Sequence, residues 1–142
     1  MDAIVGTWKN KKGSEENMNA FMDACKIPEN MRQVFLERQY EITYSKDPSN
    51  ANKLKTTVKV TNDSKLPAIE YEYELGKEFE SNDIDGKHFK CTISWDGQKF
   101  VERYVDAKNT EMFIHRELTP DGQMKFAMTC CGVTSSSVWV KS

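Results

Sequence analysis

Hydrophobic and polar positions alternate one for one along most of this chain. The clearest run is Ile69-Glu70-Tyr71-Glu72-Tyr73-Glu74-Leu75, with apolar groups on one side and acids on the other. That is the pattern of a strand with one buried and one solvated face. His88 through Trp95 and Met124 through Met128 repeat it, and turn signals such as Asp47-Pro48-Ser49-Asn50, Asp85-Gly86, Asp96-Gly97 and Pro120-Asp121-Gly122 separate the runs. Asp-Gly favours tight hairpins because both positions tolerate positive φ. The alternation predicts ten strands, near residues 5–12, 39–46, 53–61, 67–75, 77–82, 87–95, 98–105, 110–118, 123–130 and 133–141. Hairpins in unbroken succession make an antiparallel up-and-down meander, which removes its exposed edges by closing into a barrel. Ten strands enclose more volume than the roughly eight whose side chains just fill a barrel. An internal cavity, and hence a ligand, is therefore expected.

One segment has a different period. Between residues 14 and 38, Met18, Phe21, Met22 and Cys25 recur at i, i+3, i+4 and i+7, on one face of a helix. Ser14 is placed to cap it, with Glu15 and Glu16 in the first turn. Pro28 interrupts the pattern and suits the start of a second helix, which Met31, Val34 and Phe35 continue. The fold class read from the chain is all-β: a ten-stranded antiparallel barrel over 1–142, one domain, capped by a two-helix lid at about 14–38.

Composition narrows what such a barrel does. The net charge of −2 and the lack of any basic run longer than Lys11-Lys12 exclude a nucleic-acid partner. The chain opens with Asp2 and no basic flank, and no stretch of about 18 apolar residues follows, so a cytoplasmic protein is expected. Cys25, Cys91, Cys130 and Cys131 lack metal-ligand or redox spacing and are read as free thiols. With only His88 and His115, both at outward parity, and no nucleophile, phosphate-loop or metal motif, neither an enzyme nor a cofactor or metal is expected.

Parity then selects the interior. Phe89, Cys91, Ile93, Ile114, Phe126 and Met128 share the apolar face. Arg116 has the parity of Ile114 and Leu118; if they face inward it does too, and must then meet an anion or a polar network. Parity equally allows Arg116 on a solvated face. Around Phe100-Val101-Glu102-Arg103-Tyr104-Val105 two choices stand: Phe100, Glu102 and Tyr104 inward, with Glu102 in reach of Arg116, or Val101, Arg103 and Val105 inward. Ser135, Ser137 and Trp139 share a face of the last strand and offer hydrogen bonds. The candidate ligand-contacting set is Arg116, Ser135, Ser137, Trp139, Phe126, Met128 and Ile114, with Phe21 and Met22 from the lid and Glu102 on the first of the two parities.

Four segments in order resemble the intracellular lipid-binding proteins, the fatty acid- and retinoid-binding family of the calycin superfamily. They are Gly6-Thr7-Trp8-Lys9, Asn17 through Met22 with Arg32-Gln33-Val34, Leu75-Gly76-Lys77-Glu78-Phe79-Glu80, and Arg116-Glu117-Leu118. The resemblance implies a β-clam with a gap between its fourth and fifth strands, and a non-enzymatic carrier of one hydrophobic molecule. In many fatty acid carriers of the family an earlier arginine and a last-strand Arg-x-Tyr bind the ligand carboxylate. Arg116 stands in the earlier arginine's place, but Ser137 and Trp139 replace the Arg-x-Tyr pair. A long-chain fatty acid is the expected ligand; a retinoid or another apolar molecule is the alternative, and a filled barrel serving as a protein-interaction module is the rival reading. The mixed charges of the lid (Glu15, Glu16, Asp23, Glu29 and Glu37 against Lys26, Arg32 and Arg38) imply transfer largely through water with only transient membrane contact, and a monomer is expected.

Overall fold

In the computed structural model, which describes residues 1–142, the period-two runs form ten strands. They are β1 (Gly6–Asn10), β2 (Tyr40–Asp47), β3 (Asn50–Val60), β4 (Ile69–Glu74), β5 (Phe79–Asn82), β6 (His88–Trp95), β7 (Lys99–Asp106), β8 (Glu111–Leu118), β9 (Met124–Cys130) and β10 (Val133–Lys141). Helices α1 (Met18–Ala24) and α2 (Glu29–Glu37) lie between β1 and β2. Every ladder is antiparallel, and the strands are hydrogen-bonded in the order β4-β3-β2-β1-β10-β9-β8-β7-β6-β5. The meander thus closes through β1 and β10, which pair at Trp8 with Lys141 and Asn10 with Trp139.

β4 and β5 stand at the two ends of that order with no ladder between them. Aromatic rings span this seam instead. Phe79 on β5 stacks on Tyr73 and Tyr71 of β4, with centroids 5.1 and 5.4 Å apart. Such ring pairs add about 0.5–1.5 kcal/mol each beyond the area they bury. The β9–β10 turn shows how local chemistry sets register. Cys131 and Gly132 both have positive φ, 54° and 80°, as a two-residue primed turn requires, and Cys130 faces Val133 across it.

The lid differs from expectation at its first cap. Asn17, not Ser14, precedes α1, in left-handed conformation and without a side-chain cap bond. Ser14 is engaged elsewhere: its hydroxyl donates to Lys11 O and accepts from Val138 N on β10. Glu16 and Ser136 exchange two backbone hydrogen bonds. After a turn at Lys12 and Gly13 the chain therefore runs beside β10 as far as Glu16, because strand backbone offered partners that a helical turn would have forgone. Phe21 and Met22 are buried beneath α1, whereas α2 buries no residue fully and leaves Val34 exposed.

α2 is held by polar contacts: Arg32 within it pairs with Asp23 of α1 and donates to Ile27 O, and a second set fastens its end. Arg38, just past the helix, forms a two-pronged pair with Asp85 in the β5–β6 turn, at 2.7 and 3.1 Å. Asn62 in the β3–β4 turn donates to Glu37 O and accepts from Gln39 N. The Arg38 side chain is 8% exposed and its hydrogen bond holds the Asp85 carboxyl below the usual carboxylate range. Asp85→Asn should cost about 1.5–3 kcal/mol in denaturant unfolding, the range of charge-assisted hydrogen bonds. The sign with pH follows from the depressed value: the contribution is complete above about pH 4, the unfolded carboxylate range, and is lost as pH falls through the lower folded value. An acid-unfolding curve that Asp85→Asn leaves unchanged would contradict it.

Candidate functional site

The ladders arrange the interior into rows of side chains that cross neighbouring strands. One row runs Trp95, Phe100, Arg116, Phe126 and Ser137 from β6 to β10. The adjacent row is Ile93, Glu102, Ile114, Met128 and Ser135. A third carries Leu118, Met124 and Trp139. Eight of the ten sequence-selected residues therefore fall on three adjacent rows of one wall. The other two, Phe21 and Met22, are buried on α1, which packs on β10 and β9.

The open parity of β7 is resolved toward Phe100, Glu102 and Tyr104. Phe100 and Glu102 are buried and Arg103 is exposed, paired with Glu111. Arg116 is likewise interior: its Nε donates to Glu102 Oε2 at 2.5 Å, with side chains 6% and 3% exposed. The second Glu102 oxygen accepts from the Tyr104 hydroxyl at 2.6 Å. The guanidinium lies over Phe126 at 4.5 Å and near Tyr44 at 5.7 Å, both within cation–π range. Burial works against the Arg116 charge, but the Glu102 carboxylate outweighs it and holds the group above its ordinary value. Arg116 is thus a fixed cation with its counter-ion built in.

Three polar atoms around this pair are buried with no hydrogen-bond partner: Arg116 Nη1, Ser135 Oγ and Tyr44 Oη. Buried polar groups are otherwise nearly always satisfied, so these are the unsatisfied polar atoms of the interior, each covered by its neighbours as the side chains stand. The serines divide. Ser135 is fully buried and unengaged, while Ser137 accepts from the Trp139 indole N–H at 3.2 Å. Trp139 therefore supports Ser137 rather than offering its own donor, and it also packs on Phe126 and Tyr40.

Tyr44 and Tyr104 belong to this site although they were not among the selected residues. Parity already pointed to them, since Tyr44 follows Ile42 by two and Tyr104 follows Glu102 by two. Burial raises both phenols well above their ordinary value, so they remain hydroxyl donors. Tyr71 is raised by the same cause. Yet Tyr71, Tyr104, Met128 and Ser137 all keep some accessible surface. These four side chains are therefore not fully covered by their neighbours. Two recesses lie elsewhere: one of about 430 Å³ beside the helices at Met18 and Leu36, the other of about 340 Å³ near Met1 and Gly76, which reaches the first row only at its end, Trp95.

No group of three or more His, Cys, Asp or Glu side chains is placed to hold a metal ion. His88 is exposed and bonded to Asn82. No helix is long and apolar enough to cross a membrane.

The pair makes a testable demand on stability. Arg116→Leu leaves Glu102 buried without its partner and should cost about 3–5 kcal/mol, while Arg116→Met combined with Glu102→Leu should recover most of that loss. Chemical denaturation of the three proteins measures it; a double variant no better than the single one would show that the pair is not the source.

No family model matches the chain. Cellular retinoic acid-binding protein 2 of Rattus norvegicus is 27% identical over 148 residues, covering 99% of both chains. Fatty acid-binding protein 5 of Pygoscelis papua is 26% identical over 144 residues, covering 100% of this chain and 98% of the other. Among solved structures, the Schistosoma mansoni fatty acid binding protein in complex with arachidonic acid superposes with a TM-score of 0.82 at 22% identity, over 100% of this chain and 98% of that one.

Proposed function

We propose, for a chain homologous along its full length to intracellular lipid-binding proteins, that it is a non-enzymatic cytoplasmic carrier of one long-chain fatty acid or a similar molecule with a single polar end. The observation that carries this reading is the accessible surface kept by Tyr71, Tyr104 and Met128, three side chains that pack against the core. A filled barrel serving only as a docking module would have no reason to leave it.

Binding is partition without chemistry. An apolar chain in contact with Ile114, Phe126 and Met128 gains about 0.8 kcal/mol per CH₂ buried, before ordering costs. The polar end is oriented by the unpartnered atoms of Arg116, Ser135 and Tyr44. Phe21 and Met22 close the barrel beneath α1. Exchange requires the seam between β4 and β5 or the loosely packed α2 to open, a lid motion of the kind that sets ligand release in closed sites. Similarity to both retinoic acid-binding and fatty acid-binding proteins keeps a retinoid as the second reading, favoured by the aromatic lining at Phe89, Tyr104 and Phe79.

The test is a fluorescent-lipid displacement panel on delipidated protein, with fatty acids, retinoids, bile acids and a neutral lipid as competitors. Long-chain fatty acids should displace the probe at a stoichiometry of one. Displacement by retinoids alone would select the second reading. Failure of every competitor, together with native mass spectra free of any bound small molecule, would favour the docking module. The lid's mixed charge adds a second expectation: the rate of transfer to vesicles should barely change with their anionic lipid content, and a steep rise would show collisional delivery.

A further inference from the structure

The inference concerns the head group and rests on the carrier reading above. Arg116 already has a counter-charge. Glu102 takes its Nε at 2.5 Å, and both side chains are more than nine-tenths buried. The other titratable groups facing Glu102 are Tyr104 on its own strand, Tyr44 on β2, Tyr71 and Tyr73 on β4, and Cys91 on β6. Burial raises every one of these phenols and the thiol, so each is neutral at physiological pH. No second cation stands beside Arg116. Ser137 and Trp139 bond to one another across that part of β10. The polar cluster therefore balances to zero charge before any ligand arrives.

An ionised carboxylate entering here would place two buried anions on one cation. Carboxylates that share a desolvated site do not both stay ionised; one proton is held between them. The free positions of the cluster point the same way. Arg116 Nη1 is a donor, and the hydroxyls of Ser135 and Tyr44 both donate and accept. They can satisfy a carboxylic acid, an alcohol or an amide with no added charge.

We propose that this site takes its ligand with an uncharged polar end: a fatty acid binds together with one proton, and a fatty alcohol of the same chain binds with none. The proton is given up by the buffer's conjugate acid and stays on the ligand's own carboxyl group, which faces the Glu102 carboxylate. The ligand's O–H forms as the buffer acid's bond to that proton breaks, and no other covalent bond changes. The Arg116–Glu102 pair persists in either complex.

Calorimetric titration of the delipidated protein near pH 7.5, in phosphate and in Tris, reads the proton directly, because the two buffers differ in ionisation enthalpy. Oleic acid should take up about one proton per molecule bound, and its affinity should rise about tenfold for each pH unit lowered between about 8.5 and 6.5. Oleyl alcohol should show neither effect. Glu102→Gln should abolish the uptake and flatten the pH dependence for oleic acid. Should that variant fail to fold, the wild-type comparison of acid with alcohol decides alone. Oleic acid bound with no proton uptake and no pH dependence overturns the proposal while leaving the carrier reading intact. Binding of neither oleic acid, oleyl alcohol nor retinol would instead defeat the carrier reading, and this proposal with it.

Discussion

The pairing of β7 with β8 is the contact on which the interior depends. Phe100 faces Arg116 and Glu102 faces Ile114 across that ladder, so Arg116 and Glu102 meet on the diagonal of one inward face. Side-chain direction alternates strictly along a strand. A slip of one residue would turn Arg116 to solvent and put His115 and Glu117 inside. The backbone hydrogen bonds thus decide whether the barrel holds a matched pair of charges or a buried carboxylate without a partner, a difference of several kcal/mol. The aromatic faces of Phe126 and Tyr44 then enclose the guanidinium. Unlike water, they solvate it without competing for its hydrogen bonds.

The two helices have unequal holds on this frame. α1 buries Phe21 and Met22 against β9 and β10, so it moves only if core contacts break. α2 exposes most of its length and is tied by polar contacts, Arg32 to Asp23 and Ile27 O, Arg38 to Asp85, and Asn62 to the backbone at Glu37 and Gln39. Its stability is local and electrostatic where that of α1 is hydrophobic. Segments with few buried apolar contacts open at lower free energy than core elements.

Much of this architecture was legible in the chain because a one-sided sheet writes itself as alternation. Glu70, Glu72 and Glu74 against Ile69, Tyr71 and Tyr73 give both the strand and its face, and β10 falls at 133–141 as the alternation predicts. β7 was not decidable, because Phe100, Glu102 and Tyr104 are no more apolar than Val101, Arg103 and Val105. Only the partner strand, with its buried cation, selects the face that carries Glu102. The first cap was misread for a related reason. Ser14 has the right chemistry for a helix start, but Val138 on β10 offered its hydroxyl a partner some 120 residues away, which no local window can contain. Arg38 and Asp85 were hidden in the same way, being separated by 47 residues and joined only when the barrel closes.

The seam between β4 and β5 gives the barrel a mechanical character that its closed appearance conceals. Elsewhere around the wall, parting two strands breaks a run of directional backbone bonds that must all be lost together. Along this line the walls are held by Phe79 lying against Tyr71 and Tyr73, and stacked rings slide over one another with a shallow change in energy. The barrel therefore behaves as a C-shaped spring rather than a rigid tube. Its circumference can change along this line while β7 and β8, two ladders in from the β5 edge, keep the charged pair in register through their backbone bonds.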